Sequence, residues 1–204
     1  AVTAKNDAVQ AKNDAETFAA NFNTWFLRGN GSPIGVVTPS SAGVQYVDLQ
    51  NTNGARIWVS TGTSSSAWKV VDGDTGFLDL LGLLNSDFIG VHFRVRRLPY
   101  SVEWAINLTF IPDLPSGQSH DVLTVSLPVG YGNVSINSAY DMRLPVLSGS
   151  KYECYLFNRS TAADKAWLII YEESEYLPAG RNFRGFLKHP CNATWPTTLP
   201  GTPA

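Results

Sequence analysis

The sequence predicts a mainly β protein with an N-terminal α-helical coiled-coil stalk, a β-rich connector and a β-sandwich or jelly-roll head. Three observations carry this. The first 25 residues repeat in sevens. Between Val36 and Val71, short β-like runs alternate with turn signals, and from Ile89 to Glu172 apolar and polar residues alternate with period two. The expected divisions are 1–27 for the stalk, 28–80 for the connector, 81–188 for the head and 189–204 for a Pro-rich C-terminal tail.

Written in sevens, the stalk reads AVTAKND, AVQAKND, AETFAAN, FNTW. Positions a and d are then Ala1, Ala4, Ala8, Ala11, Ala15, Phe18, Phe22 and Trp25. Apolar residues in that spacing keep one seam of a helix turned toward a partner, and the Lys and Asp residues at e and g are placed to bridge between helices. A lone Ala-rich helix of this length would be a poor anchor for its own domain. Val2 and Val9 widen the apolar face, which favours three strands over two, so a homotrimer is expected. At 1.5 Å per residue the stalk spans ~40 Å.

Gly29, Gly31 and Pro33 end the helical pattern. The runs VVTP, VQYVDLQ, RIWVSTG and AWKVV follow, with Asn53-Gly54 between the second and third predicting a hairpin. Neither GxGxxG nor GxxxxGK[ST] occurs, so the glycines read as turn residues and not as a phosphate cradle.

Within the connector, the ordered words GSPIGVVT (Gly31 to Thr38), YVD (Tyr46 to Asp48) and TNGA (Thr52 to Ala55) precede Trp58, WKV (Trp68 to Val70) and GDTG (Gly73 to Gly76). This set resembles a module of bacteriophage tail fibres that lies between a helical stalk and a C-terminal receptor-binding head. The resemblance spans Gly31 to Gly76 and departs from the pattern at Ile34, where an acidic residue is common, and at Phe77, where Trp is common. LPVGY (Leu127 to Tyr131) resembles a short word of phage fibre heads. The resemblance implies a location in the virion tail, other virion tail proteins as partners, and attachment to a host cell-surface carbohydrate.

In the head, Val91, Phe93 and Val95 alternate with His92, Arg94 and Arg96, and Val102 to Phe110 alternate likewise. Further short runs lie at Leu123–Leu127, Val134–Ile136, Met142–Val146 and Tyr152–Leu156. Lys165–Tyr171 is apolar on both parities, as a strand buried on both faces would be. The tail, with four prolines and no periodicity, is expected to be extended or mobile.

The composition narrows the function. The 204 residues hold 15 Lys+Arg against 17 Asp+Glu, a net charge of −2, with no basic block to mark a nucleic-acid partner. The longest apolar stretch, Phe77 to Leu84, is interrupted by Asp79 and Gly82 and is far short of the roughly 20 residues of a membrane span, so no membrane insertion is expected. No signal-peptide pattern is present and the chain does not begin with Met, which suits a C-terminal piece of a longer parent. Cys154 and Cys191 sit in no metal-ligand spacing, and the three histidines are scattered, so neither a metal nor a cofactor is expected. Whether the cysteines pair is left open; neither is expected to be essential to the fold. Five Asn-x-Ser/Thr sequons, at Asn30, Asn107, Asn133, Asn158 and Asn192, keep a secreted glycoprotein as an alternative.

No catalytic residues are assigned. GxSxG is absent, and the carboxylates at Asp72, Asp74 and Asp79 and at Glu172, Glu173 and Glu175 read as turn and strand-end acids, not as a glycosidase pair. The candidates for receptor binding are Tyr131, Tyr140 and Tyr155, aromatics outside the apolar alternation that could serve as sugar platforms, with Arg94 and Arg96, which form a small basic face with Arg97 beside His92. A structural module that joins fibre segments and a glycan depolymerase stand as the alternatives.

Overall fold

The computed structural model describes residues 2–113, 130–131, 142–145, 153–157, 167–169, 179–191 and 193–204. The chain is mainly β with one N-terminal helix, and it divides into two compact units at Gly73/Asp74.

In the first unit, helix α1 (Val2–Trp25) runs unbroken for 24 residues, as expected of an Ala-rich segment free of Gly and Pro. It stops two residues before the expected end of the stalk. Phe26–Gly29 forms strand β1, which pairs in parallel with β2 (Gln45–Asp48), so sheet hydrogen bonding takes the chain over from the helix. Strands β3 (Ala55–Ser60) and β4 (Trp68–Gly73) complete a four-stranded sheet in the order β1-β2-β3-β4. The hairpin predicted at Asn53-Gly54 is present. Strands β2 and β3 are antiparallel, with Tyr46 opposite Trp58, and the turn between them holds Asn51 and Asn53 at φ 51° and 50°. Asn is among the few residues with a side chain that tolerate this left-handed region. Val44, Tyr46, Ala55, Trp58, Trp68 and Val70 are buried together in this unit.

The second unit contains a five-stranded sheet in the order β11-β7-β6-β5-β12. Its members are β5 (Leu78–Asp79), β6 (Phe88–Leu98), β7 (Ser101–Phe110), β11 (Arg181–Pro190) and β12 (Thr202–Pro203). A three-stranded antiparallel sheet in the order β10-β9-β8 is built from β8 (Met142–Pro145), β9 (Glu153–Phe157) and β10 (Trp167–Ile169). The runs expected at Leu123–Leu127 and Val134–Ile136 lie outside the described residues. Alternation sorts the five-stranded sheet into two faces. Phe93, Val95, Val102, Trp104, Ile106, Leu108, Phe110, Phe183 and Leu187 point to the core, while His92, Arg94, Arg96, Glu103, Arg184, Phe186 and Lys188 share the opposite face.

Two expected divisions are corrected. Leu78 and Asp79 were assigned to the connector but pair with Val95 and Arg94, so the head begins near Asp74 and not at residue 81. The Pro-rich tail is not a loose extension. His189 and Pro190 complete β11; Cys191, Trp195 and Pro200 are buried; and β12 pairs with β5. Prolines are compatible with this docking because Pro203 sits on an edge strand, where its missing N–H breaks no interior ladder.

Candidate functional site

Asp48 ties the connector words to one another. Its carboxylate accepts hydrogen bonds from the backbone N–H of Gly31 and Gln50, both at 2.9 Å, and of Thr52 at 2.7 Å. Burial works against the charge of Asp48, but these hydrogen bonds prevail and hold its pKa below the ordinary carboxylate value. Trp68 donates its indole N–H to the Val37 carbonyl at 2.9 Å, and the Ser60 hydroxyl accepts Val44 N–H and donates to the Ser41 carbonyl. GSPIGVVT, YVD, TNGA and WKV are thus joined by hydrogen bonds within the first unit. Their ordered spacing reflects the module's own turns.

A second buried polar centre lies in the head. Arg97, expected on a small basic face beside Arg94 and Arg96, points into the core and is 1% exposed. Its guanidinium donates to the carbonyls of Leu98, Ser101, Cys191 and Ala193 and lies 5.5 Å from the Trp195 ring centroid. Arg97 therefore clamps the segment after β11 from beneath. The Cys191 thiol donates to the Gly130 carbonyl at 3.4 Å, and its pKa is raised by burial. Burial also lowers the pKa of His189 and pushes Tyr131 up to about 12.

Tyr131 is consequently corrected as a receptor contact. It is 1% exposed within the core cluster and offers no ring face to a sugar. Tyr140, and the side chain of Tyr155 on β9, lie outside what the structure describes. Asn107 is corrected as a sequon, because at 5% exposure on an interior strand its amide cannot receive a glycan.

Arg94 and Arg96 do lie on the outer face. Arg96 donates from Nε to Glu103 at 2.6 Å, reaches Asp74 at 3.5 Å and stacks over Phe77 at 4.8 Å. Lys188 binds the other oxygen of Glu103 at 3.0 Å. Burial opposes ionisation of Glu103, but Lys188 and Arg96 outweigh it and lower its pKa. Arg94 pairs with Asp79 at 3.6 Å and keeps 42% of its side chain exposed.

Register places two rows across this face. In one, Arg94, Ala105 and Phe186 lie side by side on β6, β7 and β11; in the next, His92, Asn107 and Arg184 do. Phe186 is 59% exposed, with Phe77 edge-on to it at 6.3 Å. Arg184 and Phe186 are not among the residues singled out from the sequence. Their signal is the alternation of Phe183, Gly185 and Leu187 with Arg184, Phe186 and Lys188, which marks a strand.

At the end of the β6–β7 hairpin, Leu98, Pro99, Tyr100, Lys188, His189 and Pro190 line an open cavity of about 440 Å³. Among the described residues, no group of three or more His, Cys, Asp or Glu side chains is placed to hold a metal ion. No described helix is long and apolar enough to cross a membrane. No protein-family model matches the chain, and comparison with curated proteins and with solved structures found no match.

Proposed function

We propose that this chain is the distal part of a bacteriophage tail fibre, a homotrimer that attaches the virion to a host cell-surface carbohydrate by binding without chemistry. In this reading α1 is a coiled-coil stalk, the head closes as a β-sandwich, and other virion tail proteins hold the stalk end. The observation that carries it is the state of the heptad seam. Phe18 is 72% exposed, Phe22 50% and Trp25 46%, while Ala4, Ala8, Ala11 and Ala15 are exposed along the same stripe. Phe18 and Phe22 lie 6.3 Å apart and Phe22 stacks on Phe26 at 4.6 Å, so the apolar surface is continuous. Three aligned copies bury that stripe at their common axis.

Display in threes suits weak sugar sites, since linked sites raise avidity without any new contact. The described carboxylates that a depolymerase would draw on are engaged with arginines. Asp72 pairs with Arg56 at 2.7 Å, and Asp74, Asp79 and Glu103 pair with Arg96 and Arg94 as above. Glu103, held ionised by Lys188 and Arg96, is poorly suited to serve as a general acid.

Incubation of the purified chain with envelopes from a panel of bacteria tests the proposal. Saturable binding without release of sugar is the expected result. Progressive release of oligosaccharide would establish the depolymerase, and absence of binding to every envelope would favour the fibre-joining module.

A further inference from the structure

The outer face of the five-stranded sheet carries a compact set of groups that ion pairing within the head does not use up. Arg94 and Arg184 occupy opposite corners of the two-by-three grid, with Phe186 and His92 at the other two. The grid floor is Ala105 and Asn107. Asn107 is held by Asn182, whose amide nitrogen donates to its side-chain oxygen at 3.1 Å. Two strand spacings make the grid about 10 Å wide, and one side-chain repeat makes it about 7 Å tall. That is the footprint of one or two sugar rings.

The chemistry of the corners is selective. Arg184 is exposed and, among the described residues, has no carboxylate within ion-pair reach. Arg94 meets Asp79 through Nε at 3.6 Å and has no other ion-pair partner among the described residues, so its two terminal nitrogens carry no ion pair there. A planar guanidinium matches a carboxylate or phosphate with paired hydrogen bonds. Phe186 offers a ring face to the C–H side of a sugar, and Ala105 beside it leaves room for close approach.

We propose that this grid is the receptor contact of the head and that its ligand is an acidic glycan, one whose sugars bear carboxylate or phosphate groups. The proposal rests on the adhesin reading and narrows it: Arg94 and Arg184 take the anionic groups and Phe186 stacks on the neighbouring ring. Neutral glycans offer hydroxyl acceptors but no anionic group for the paired, charge-assisted bonds of either arginine.

The test is binding of the whole chain to three immobilised polysaccharides: polygalacturonate for carboxylate, phosphomannan for phosphate, and dextran as the neutral comparison. At least one acidic polymer should bind, weakening as salt is raised, and dextran should not. Arg184→Gln alone, which breaks no ion pair among the described residues, and Arg94→Gln/Arg184→Gln together should each reduce that binding. The double variant should lose about tenfold to a hundredfold, as for removal of charge-assisted hydrogen bonds. Arg56→Gln in the first unit, a matched charge change, should leave it unaltered. Equal binding of all three polymers, or an Arg94→Gln/Arg184→Gln variant with a normal melting curve that binds like the parent, overturns the proposal. If envelopes are bound while acidic polymers neither bind nor compete, the acidic site falls and the adhesin reading stands. Binding of acidic polymers lost in the double variant, with no envelope bound, supports the grid and contradicts the adhesin.

Discussion

Asp48 accepts the backbone N–H of Gly31 at 2.9 Å, joining two points 17 residues apart in the chain. The same carboxylate holds Gln50 and Thr52, so a single 2%-exposed side chain closes the start of the connector and the turn before β3. Asp48→Ala would orphan three backbone donors, and at about 1 kcal/mol or more for each such loss the first unit should be destabilised by about 3 kcal/mol. Denaturant titration followed by fluorescence of the buried Trp58 and Trp68 measures this. A loss below about 0.5 kcal/mol, typical of an unremarkable surface substitution, would show that the carboxylate does not organise the module.

Acid should act on the two units in different pH ranges. Asp48 has a lowered pKa in the folded chain, so the unfolded chain takes up protons first. Its contribution is complete above the ordinary aspartate value, about 4, and is lost as pH falls through the lower folded value. His189 is buried against the Pro190 carbonyl with Arg97 nearby, and burial lowers its pKa in the folded chain. The unfolded chain therefore binds the extra proton below the ordinary histidine value, about 6.5, and head stability should decline from there as pH falls. Thermal melts of His189→Gln should lack the decline that sets in below about pH 6.5. An unchanged pH profile would exclude His189 as its source.

Arg97→Met keeps an unbranched apolar stem but removes the donors to Leu98, Ser101, Cys191 and Ala193. The expected cost is about 3 kcal/mol, since several buried carbonyls lose their partner together. Amide hydrogen exchange should accelerate across residues 191–204 while strands β2 and β3 stay protected. Uniform acceleration throughout the chain would mean that Arg97 does not act through that segment.

Gly201 precedes β12 at φ +65°, and an added Cβ would collide with the Asp79 carbonyl. Gly201→Ala should therefore detach β12 from β5, lowering the melting temperature of the head and exposing the C-terminus to carboxypeptidase. Wild-type resistance in that variant would refute the docked terminus.

The helix, the Asn53-Gly54 hairpin and the long β6–β7 pair were legible because each follows a local rule: helical propensity, turn chemistry and period-two alternation. The docked C-terminal segment was not. Its order comes from Arg97, about a hundred residues earlier in the chain, and no local pattern encodes a bond from a guanidinium to a distant carbonyl. Arg97 also misled as a charge, for its parity with Phe93 and Val95 places it inward although its type suggests the surface. Tyr131 misled in the opposite sense: an aromatic outside an alternating run read as exposed, yet it fills the core. The outer grid was half legible. Arg94 sits in a clear alternation, whereas Arg184 and Phe186 become its neighbours only through the pairing of β11 with β7, a long-range register that the chain's own periodicity does not specify.

The claim that bears most weight is that α1 joins three chains along the Ala4-to-Trp25 stripe. Light scattering coupled to size exclusion, on the whole chain at micromolar concentration, measures it directly. The account predicts a particle of three 22.2 kDa chains, about 67 kDa, that falls to lower mass in Phe18→Ser/Phe22→Ser while the β signal in circular dichroism persists. A clean 22.2 kDa monomer for the unaltered chain would contradict it.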